Sequence, residues 1–396
     1  MTISNFTRFT GLLLVTGFFI SCSSSKINID ELIQNNKYQE AITEIDARLA
    51  ENPSQPGLYI QKGKINASLA QDTDPELRPE FYTNTDESFE MAIEYGAVSA
   101  QVATMDSLRQ QYWKSEHNAG LRITDNEALS DRYHLASIHF KNALILREDA
   151  VSSYKNLSIA QFNQGDLDEA IGTLETALEY AGDEPTEIYE NLGYLYLEKG
   201  DPEQSSYYYE LANTNVKEDL NLAFGLVNAY ISNGSNEQAA DILESLVANN
   251  PDNANLRIVY GTQLYLITSG IMEDLKSAYS SNDTVLVDQI LFEAEGMGDE
   301  AETQLIEAFR RDTSNTEYLE SLAVFYNNLS AQYLSLLPNA FENDKIELEN
   351  KAYNLINFAI DYYEKLVAID ANNDEYIQKL SVLKTLKNRK TASADN

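Results

Sequence analysis

Cysteine and histidine are almost missing from this chain of 396 residues, and their scarcity limits its chemistry. Cys22 is the single cysteine, so no disulfide can form within the chain and no cysteine-based zinc or iron–sulfur site can be built from it alone. Of the three histidines, His134 and His139 are five residues apart, whereas a spacing of four would place them on one helical face. The sequence therefore predicts no metal site, and stability must come from packing.

Basic residues are also scarce. The chain has 28 Lys and Arg residues against 63 Asp and Glu residues, which gives a formal net charge of -35. Proteins that bind nucleic acid need cations to neutralise phosphates, so nucleic acid is a poor partner. The charge would repel an anionic membrane surface, but it is equally consistent with the solvated acidic surface of a protein that lives in salt.

The N-terminal apolar run is short. It covers residues 11–20, about half of the roughly 20 residues that a transmembrane helix needs. It follows one basic residue, Arg8, and precedes Ser21 and Cys22. This arrangement is typical of a secretory signal peptide and not of a membrane span, and it predicts a signal peptide at 1–21.

Residues 19–22, Phe-Ile-Ser-Cys, resemble the lipobox of bacterial lipoproteins. The resemblance implies that a peptidase cuts before Cys22 once its thiol is diacylated, and that the fatty chains, such as palmitate, anchor a lipidated tether at 22–27. Ser23 follows the cysteine, which implies the outer membrane by the sorting rule of well-studied lipoproteins. The alternative is a soluble secreted protein whose single thiol is incidental.

The rest of the sequence repeats itself with a period near 34 residues. The clearest copy has Tyr189, Leu192, Gly193 and Tyr196 in the order Y-x2-L-G-x2-Y, and the turn glycines at 165, 200 and 234 are 35 and 34 residues apart. This pattern resembles the tetratricopeptide repeat. Small residues such as Gly193 let two antiparallel helices approach, while the larger residues at helical spacing fill the face between them.

The resemblance implies an all-α fold, a right-handed α-solenoid of stacked antiparallel helix hairpins in which neighbours cover each other's apolar faces. Four tyrosines occupy positions where the repeat buries an aromatic residue, which predicts a core role for Tyr154, Tyr189, Tyr196 and Tyr230. The predicted organisation after the tether is N-terminal repeats with insertions at 28–150, three regular repeats at 151–251, C-terminal repeats with long hairpins at 252–373, a capping helix at 374–388 and a disordered tail at 389–396.

The flanking repeats carry additional sequence between their first and second helices. Apolar positions at 271–294 form an outgoing and a returning stripe around a turn at 280–283, which predicts a longer hairpin, and a similar pattern fits 326–359. The N-terminal insertions at 72–86 and 116–129 contain proline or glycine and are predicted to be irregular. We expect all four insertions to project from one edge of the solenoid, which either contacts a partner or shields the solenoid.

No motif for catalysis is present: the sequence lacks a G-x-S-x-G elbow, a phosphate loop and a dinucleotide fingerprint. Carboxylate pairs are inevitable at this acidity and carry little information about catalysis. The segment from Asp370 to Asp374 begins like a calcium loop but lacks its glycine and closing Glu, so a turn at the end of a repeat is the better interpretation. We expect a non-enzymatic protein without cofactor or metal.

By resemblance to peptide-binding tetratricopeptide grooves, the first helices of the regular repeats should present a concave binding surface. The implied groove residues are Lys155, Ile159, Phe162, Glu190, Asn191, Tyr194, Phe224, Asn228 and Ile231. Lys155 and Asn191 match the carboxylate clamp of chaperone-binding relatives, but other clamp positions do not. A ligand with a terminal carboxylate is therefore disfavoured, and an apolar or extended peptide is expected. Alternatively, these apolar groove residues pack against the chain's own insertions.

The expected function is a scaffold for protein–protein interaction in the bacterial cell envelope, anchored through lipid to the outer membrane and facing the periplasm, with a protein or extended peptide as its partner. The alternative is a surface-exposed, SusD-like lipoprotein that binds a solute or glycan, since that class also places tetratricopeptide hairpins beneath irregular insertions. Trp113 is the single tryptophan, whereas the insertions of SusD-like proteins are richer in tryptophan.

Overall fold

The structure is a computed structural model that describes residues 28–183, 185–212 and 220–394. The predicted signal peptide at 1–21, Cys22 and the rest of the tether lie outside these ranges. Within them every regular element is a helix and no strand occurs, which confirms the all-α fold class. No helix in this part of the chain is long and apolar enough to cross a lipid bilayer. The chain divides into two compact units after Ser153.

The N-terminal unit consists of helices α1 to α6 and a 3-10 turn. Their bounds are α1 Ile29–Gln34, α2 Tyr38–Glu51, α3 Pro56–Gln71, the turn Pro75–Leu77, α4 Arg78–Glu94, α5 Ser99–Thr124 and α6 Arg132–Leu146. Helices α3 and α4 pack together as one antiparallel hairpin, and α5 and α6 pack as a second.

The C-terminal unit continues the hairpin pattern from α7, which begins just before the division. Its helices are α7 Val151–Gln164, α8 Leu167–Leu178, α9 Thr186–Lys199, α10 Pro202–Leu211, α11 Leu220–Asn233, α12 Asn236–Asn249, α13 Ala254–Ser281, α14 Thr284–Arg311, α15 Thr316–Leu336, α16 Glu342–Ile369 and α17 Asp374–Ala394. Neighbouring helices pack on one another, and one apolar core continues from Ala223 in α11 to Leu383 in α17.

One packing rule recurs in hairpins of both units: a glycine of the first helix faces a large side chain of the second. A Cβ on Gly193 in α9 would lie 2.8 Å from the ring of Tyr209 in α10, well inside van der Waals contact. The Ser205 hydroxyl also donates to the Gly193 carbonyl at 2.7 Å. Gly193 therefore lets the two helices approach, as the sequence predicts. The same relation joins Gly63 to Phe89, Gly120 to Phe140 and Gly261 to Leu305.

The N-terminal insertions are more regular than predicted. Most of 72–86 belongs to α4 and most of 116–129 to α5, so the prediction of irregular structure was wrong. Pro79 lies in the first turn of α4, where its missing N–H has no intrahelical partner to lose. Gly120 is not a loop residue but a buried position of α5, because the ring of Phe140 leaves no space there for a side chain.

The long hairpin predicted around 280–283 is confirmed. Helix α13 ends at Ser281, inside this segment, and α14 begins directly after it at Thr284. Asn282 between them has a left-handed φ of 60°, which asparagine tolerates better than most residues. The Asp283 side chain then accepts a hydrogen bond from the Leu286 N–H at 3.1 Å and caps α14. Two residues therefore reverse the chain between two helices of 28 residues each.

The last helix is longer than predicted. Helix α17 continues past Asn388 through residues predicted to be a disordered tail, and it ends at Ala394. The Lys390 ammonium lies 4.3 Å from the centre of the Tyr353 ring and donates to Asn350 at 3.0 Å. These contacts hold the extra turn against α16, and no glycine or proline interrupts the helix there.

Candidate functional site: the groove on the first helices of the regular repeats

The first helices of the first two regular repeats, α7 and α9, run side by side in the same direction. Lys155 forms an ion pair with Glu187, and the ring of Phe162 packs edge-on against Tyr194, with centroids 5.6 Å apart and planes at 74°. Each pair joins positions 32 residues apart. Phe162 lies two helical turns after Lys155 on α7, and Tyr194 lies two turns after Glu187 on α9. Because the offset of 32 residues is the same for both pairs, the two helices are parallel and in register.

The third first helix, α11, extends this surface. The ring of Tyr209 lies between the first helices of two repeats, since it faces Gly193 of α9 on one side and Gly225 of α11 on the other. These glycines are again 32 residues apart, and α9 and α11 are in contact. The sequence-predicted groove positions on α7, α9 and α11 therefore belong to three adjacent helices.

The apolar groove residues fall into two groups. Ile159 and Tyr194 are 47% and 43% exposed, and Phe162 is half-buried against Tyr194. Phe224 and Ile231 of α11 are half-buried and pack against the core of the C-terminal unit. The first group is thus an accessible apolar strip, named here the α7–α9 strip, whereas the second group is largely taken up by contacts with the core.

The polar groove residues are less available to a ligand carboxylate than a clamp requires. The Lys155 ammonium is held by Glu187, whose side chain is 67% exposed. Glu190 and Asn191 on α9 are half-buried, and Asn228 on α11 is exposed. Glu187 was not among the predicted groove residues, although it stands one helical turn before Glu190 on the same face of α9.

The four repeat tyrosines are half-buried, so the prediction of a full core role was too strong. The Tyr196 hydroxyl donates to Glu175 of α8 at 2.9 Å, and the Tyr230 hydroxyl donates to Glu210 of α10 at 2.8 Å. Each of these two hydroxyls thus bonds to the second helix of the preceding repeat. A hydroxyl buried in a purely apolar core would lack a hydrogen-bond partner. Burial, followed by the hydrogen bond and charge of Glu210, raises the pKa of Tyr230 to about 12.

A second polar cluster lies inside the N-terminal unit. The carboxylate of Glu116 in α5 is completely buried. One of its oxygens accepts from Arg78 at 2.8 Å and from the Tyr82 hydroxyl at 2.6 Å, and the other lies 2.6 Å from Nδ1 of His139. Burial disfavours the ionised carboxylate, but the hydrogen bonds from His139, Tyr82 and Arg78 outweigh burial and lower its pKa.

The Glu116 cluster joins α4, α5 and α6 and has the character of a structural network, because both oxygens are occupied by protein donors. The neighbouring His117 contacts the Ser153 hydroxyl at 2.9 Å and stacks on Trp113 with centroids 5.2 Å apart. Burial lowers the pKa of His117. Across the described ranges, no three His, Cys, Asp or Glu side chains come together in a way that could hold a metal ion.

Residues 155–215 match the tetratricopeptide repeat family, which confirms the resemblance for the first two regular repeats. No curated protein matches the chain. Similar solved structures include YrrB, described as a TPR protein with an unusual peptide-binding site, at 17% identity over 60% of this chain and 96% of that chain, with a TM-score of 0.39.

Two further structures are similar over more of the chain. The C-terminal part of a TPR repeat-containing protein from Cytophaga hutchinsonii is 12% identical over 89% of this chain and 98% of its own, with a TM-score of 0.44. PilF of Pseudomonas aeruginosa is 12% identical over 68% of this chain and 97% of its own, with a TM-score of 0.40. Tetratricopeptide repeats bind proteins or peptides and generally do not catalyse reactions.

Proposed function

We propose that this chain is a non-enzymatic interaction scaffold of the bacterial cell envelope, anchored through lipid on Cys22 to the outer membrane and facing the periplasm. Its partner is a protein or extended peptide that binds the groove formed by the first helices of the regular repeats. The observation that carries the proposal is the α7–α9 strip, where Ile159 and Tyr194 are 47% and 43% exposed on a surface shaped by parallel helices.

The anchoring part of the proposal is supported by the N-terminal sequence. The single cysteine follows an apolar run too short to span a bilayer, at the position where the lipobox resemblance requires it. More than one fatty chain would hold the protein far more firmly than the marginal binding of a single chain. The SusD-like alternative gains no support from the family match or from the structures named above.

Cross-linking in cells tests the groove. A photo-reactive amino acid at position 159 should cross-link a defined envelope protein, and the double change Phe162→Ser with Tyr194→Ser should abolish that product. Phe292→Ser is the matched control, because Phe292 is 81% exposed on α14, outside the groove. Cross-linking that survives the double change in a protein with unaltered circular dichroism would contradict the proposed groove.

Fractionation and protease accessibility test the anchor and its orientation. The native chain should partition with outer membranes and resist protease until that membrane is opened, whereas Cys22→Ala should release it into the soluble fraction. Digestion in intact cells would contradict the periplasm-facing orientation. Release of the native chain without detergent would contradict lipidation.

A further inference from the structure

A cleft of about 310 Å³ lies between three helices that take no part in the groove, α14, α15 and α16. Within each helix the lining residues are three, four, seven or eight positions apart, so they lie on one side of that helix. The volume is at the lower end of the range for small-molecule sites. This α14–α16 cleft therefore has room for a short ligand only.

The floor of the α14–α16 cleft comes from α15 and is mostly apolar. Phe325, Leu329 and Tyr333 follow one another at intervals of four residues, and all three are buried. Asp299 of α14 and Asn354 of α16 are exposed and stand at the rim. Because a helix rises about 12 Å over eight residues, the floor is long enough to hold a short aliphatic chain.

Tyr333 brings a polar atom to one end of this floor. Its side chain is only 5% exposed, yet its hydroxyl has no hydrogen-bond partner among the described residues. A buried hydroxyl without a partner is costly, and most buried polar groups have one. After burial, the charges of Glu295, Asp299 and Glu347 raise the pKa of this phenol, because its hydroxyl end lies towards these carboxylates. The hydroxyl is therefore placed to accept a hydrogen bond from a ligand in the cleft.

Three carboxylates and one ammonium line the α14–α16 cleft. The Lys351 ammonium forms an ion pair with Glu295, and Glu302 accepts a hydrogen bond from a tyrosine of α15. Asp299 lies between these two acids on α14, and no side chain in the described part of the chain donates to its carboxylate. The cleft thus offers two acceptors, Asp299 and the Tyr333 hydroxyl, next to an apolar floor. A primary ammonium, which has three N–H donors and no acceptor, matches this set.

We propose that the α14–α16 cleft binds a primary alkylammonium ion. The ammonium donates to the Asp299 carboxylate and to the Tyr333 hydroxyl, and the amide oxygen of Asn354 at the rim accepts the third N–H. The aliphatic chain lies along Leu329 and Phe325. Such an ion is either a free amine or the side chain of a lysine in another protein. The site is separate from the groove on α7, α9 and α11, and it does not depend on the partner proposed for that groove.

Isothermal titration calorimetry on the purified full chain at constant ionic strength tests this proposal with three probes. Pentylamine should bind with a dissociation constant of about 1 mM, as expected for so small a ligand. The neutral alcohol 1-pentanol has the same length and should bind at least tenfold more weakly. Nα-acetyl-lysine methylamide carries the same ammonium on a peptide-like body. Tighter binding than pentylamine would identify a lysine side chain as the ligand, and weaker binding would identify a free amine.

Two variants locate the ammonium. Tyr333→Phe should weaken pentylamine binding about tenfold, because it removes a buried hydrogen bond to a charged group. Asp299→Asn should weaken binding about threefold, since an exposed ion pair contributes less. The matched control is Asp288→Asn, which makes the same change of charge on an exposed residue of α14 outside the cleft and should leave affinity within about twofold. Tyr333→Phe should also keep the melting temperature of the ligand-free chain, since the lost hydroxyl bonds to no described residue.

Three outcomes would overturn the inference. Equal binding of 1-pentanol would show that the cleft selects length and not charge. Equal loss of affinity in Asp288→Asn and Asp299→Asn, or full affinity in Tyr333→Phe, would place the ammonium elsewhere. No saturable binding of either amine up to about 20 mM would leave water as the partner of the Tyr333 hydroxyl. None of these results bears on cross-linking from position 159, so this inference and the proposed function fail separately.

Discussion

Gly193→Ala should destabilise the protein although alanine is the better helix former. The new Cβ would lie 2.8 to 2.9 Å from three carbon atoms of the Tyr209 ring, where carbon atoms prefer about 3.5 to 4.0 Å. The ring has no room to retreat, because its other side faces Gly225, where a Cβ would lie 2.4 Å from the ring. Overpacking of this kind costs about 1 to 3 kcal/mol, and we expect the upper end of that range.

Alanine offsets part of this cost, since it is favoured over glycine inside a helix by about 1 kcal/mol. The net expectation is a loss of about 2 kcal/mol, which lowers the melting temperature by roughly 4 to 8 °C in a unit of this size. Thermal unfolding followed by circular dichroism at 222 nm measures it.

Gly172→Ala is the matched control, because Gly172 also lies inside a helix, α8, but a Cβ there would meet nothing within 4 Å. This variant should gain up to about 1 kcal/mol. If Gly193→Ala were as stable as Gly172→Ala, the tight contact between α9 and Tyr209 would be refuted. Adding Tyr209→Leu to Gly193→Ala should recover part of the loss through relief of the overlap.

Three further results are expected. Tyr230→Phe should cost about 1 kcal/mol in urea unfolding, because it removes the hydrogen bond to Glu210 and leaves the packing of the ring in place; an unchanged midpoint would contradict that bond. The lowered pKa of Glu116 means that its contribution is complete above the unfolded-state value of about 4.3 and is lost as pH falls through the folded-state value. Acid titrations of stability should therefore be flatter in Glu116→Gln than in the native chain, and parallel curves would refute this. Asp283→Ala should cost about 1 kcal/mol in thermal unfolding through loss of the cap on the Leu286 N–H, whereas an equal melting temperature would show that the cap contributes nothing.

The hairpin architecture could be predicted because its determinants are local. Gly165, Gly200 and Gly234 have φ values of 90°, 79° and 80°, a left-handed conformation that glycine adopts without steric cost. Their spacing therefore revealed the repeat register directly. The two-residue turn after α13 could be located for the same reason, since the turn residues and the flanking apolar stripes are close in sequence.

The contacts that were missed join residues far apart in sequence. Glu116 accepts hydrogen bonds from residues of α4 and α6 that are 23 to 38 positions away in the sequence. Its burial could therefore not be predicted from the local sequence, which was expected to form an irregular insertion. Gly120 was misassigned because a glycine at a tight interhelical contact has the same sequence appearance as a glycine in a loop. Only its partner, Phe140, distinguishes the two, and that pairing depends on the fold.

The pairing of Lys155 with Glu187 shows why groove chemistry is harder to predict than groove position. Parallel first helices offset by 32 residues bring Lys155 next to Glu187 and Phe162 next to Tyr194, so the charge available to a ligand depends on pairs and not on single positions. Lys155 alone would favour an anionic ligand. With Glu187 beside it, the ammonium of Lys155 is already paired and is less available to an anionic ligand. The same helix register that forms the groove therefore offsets the charge preference that its lysine alone would give it.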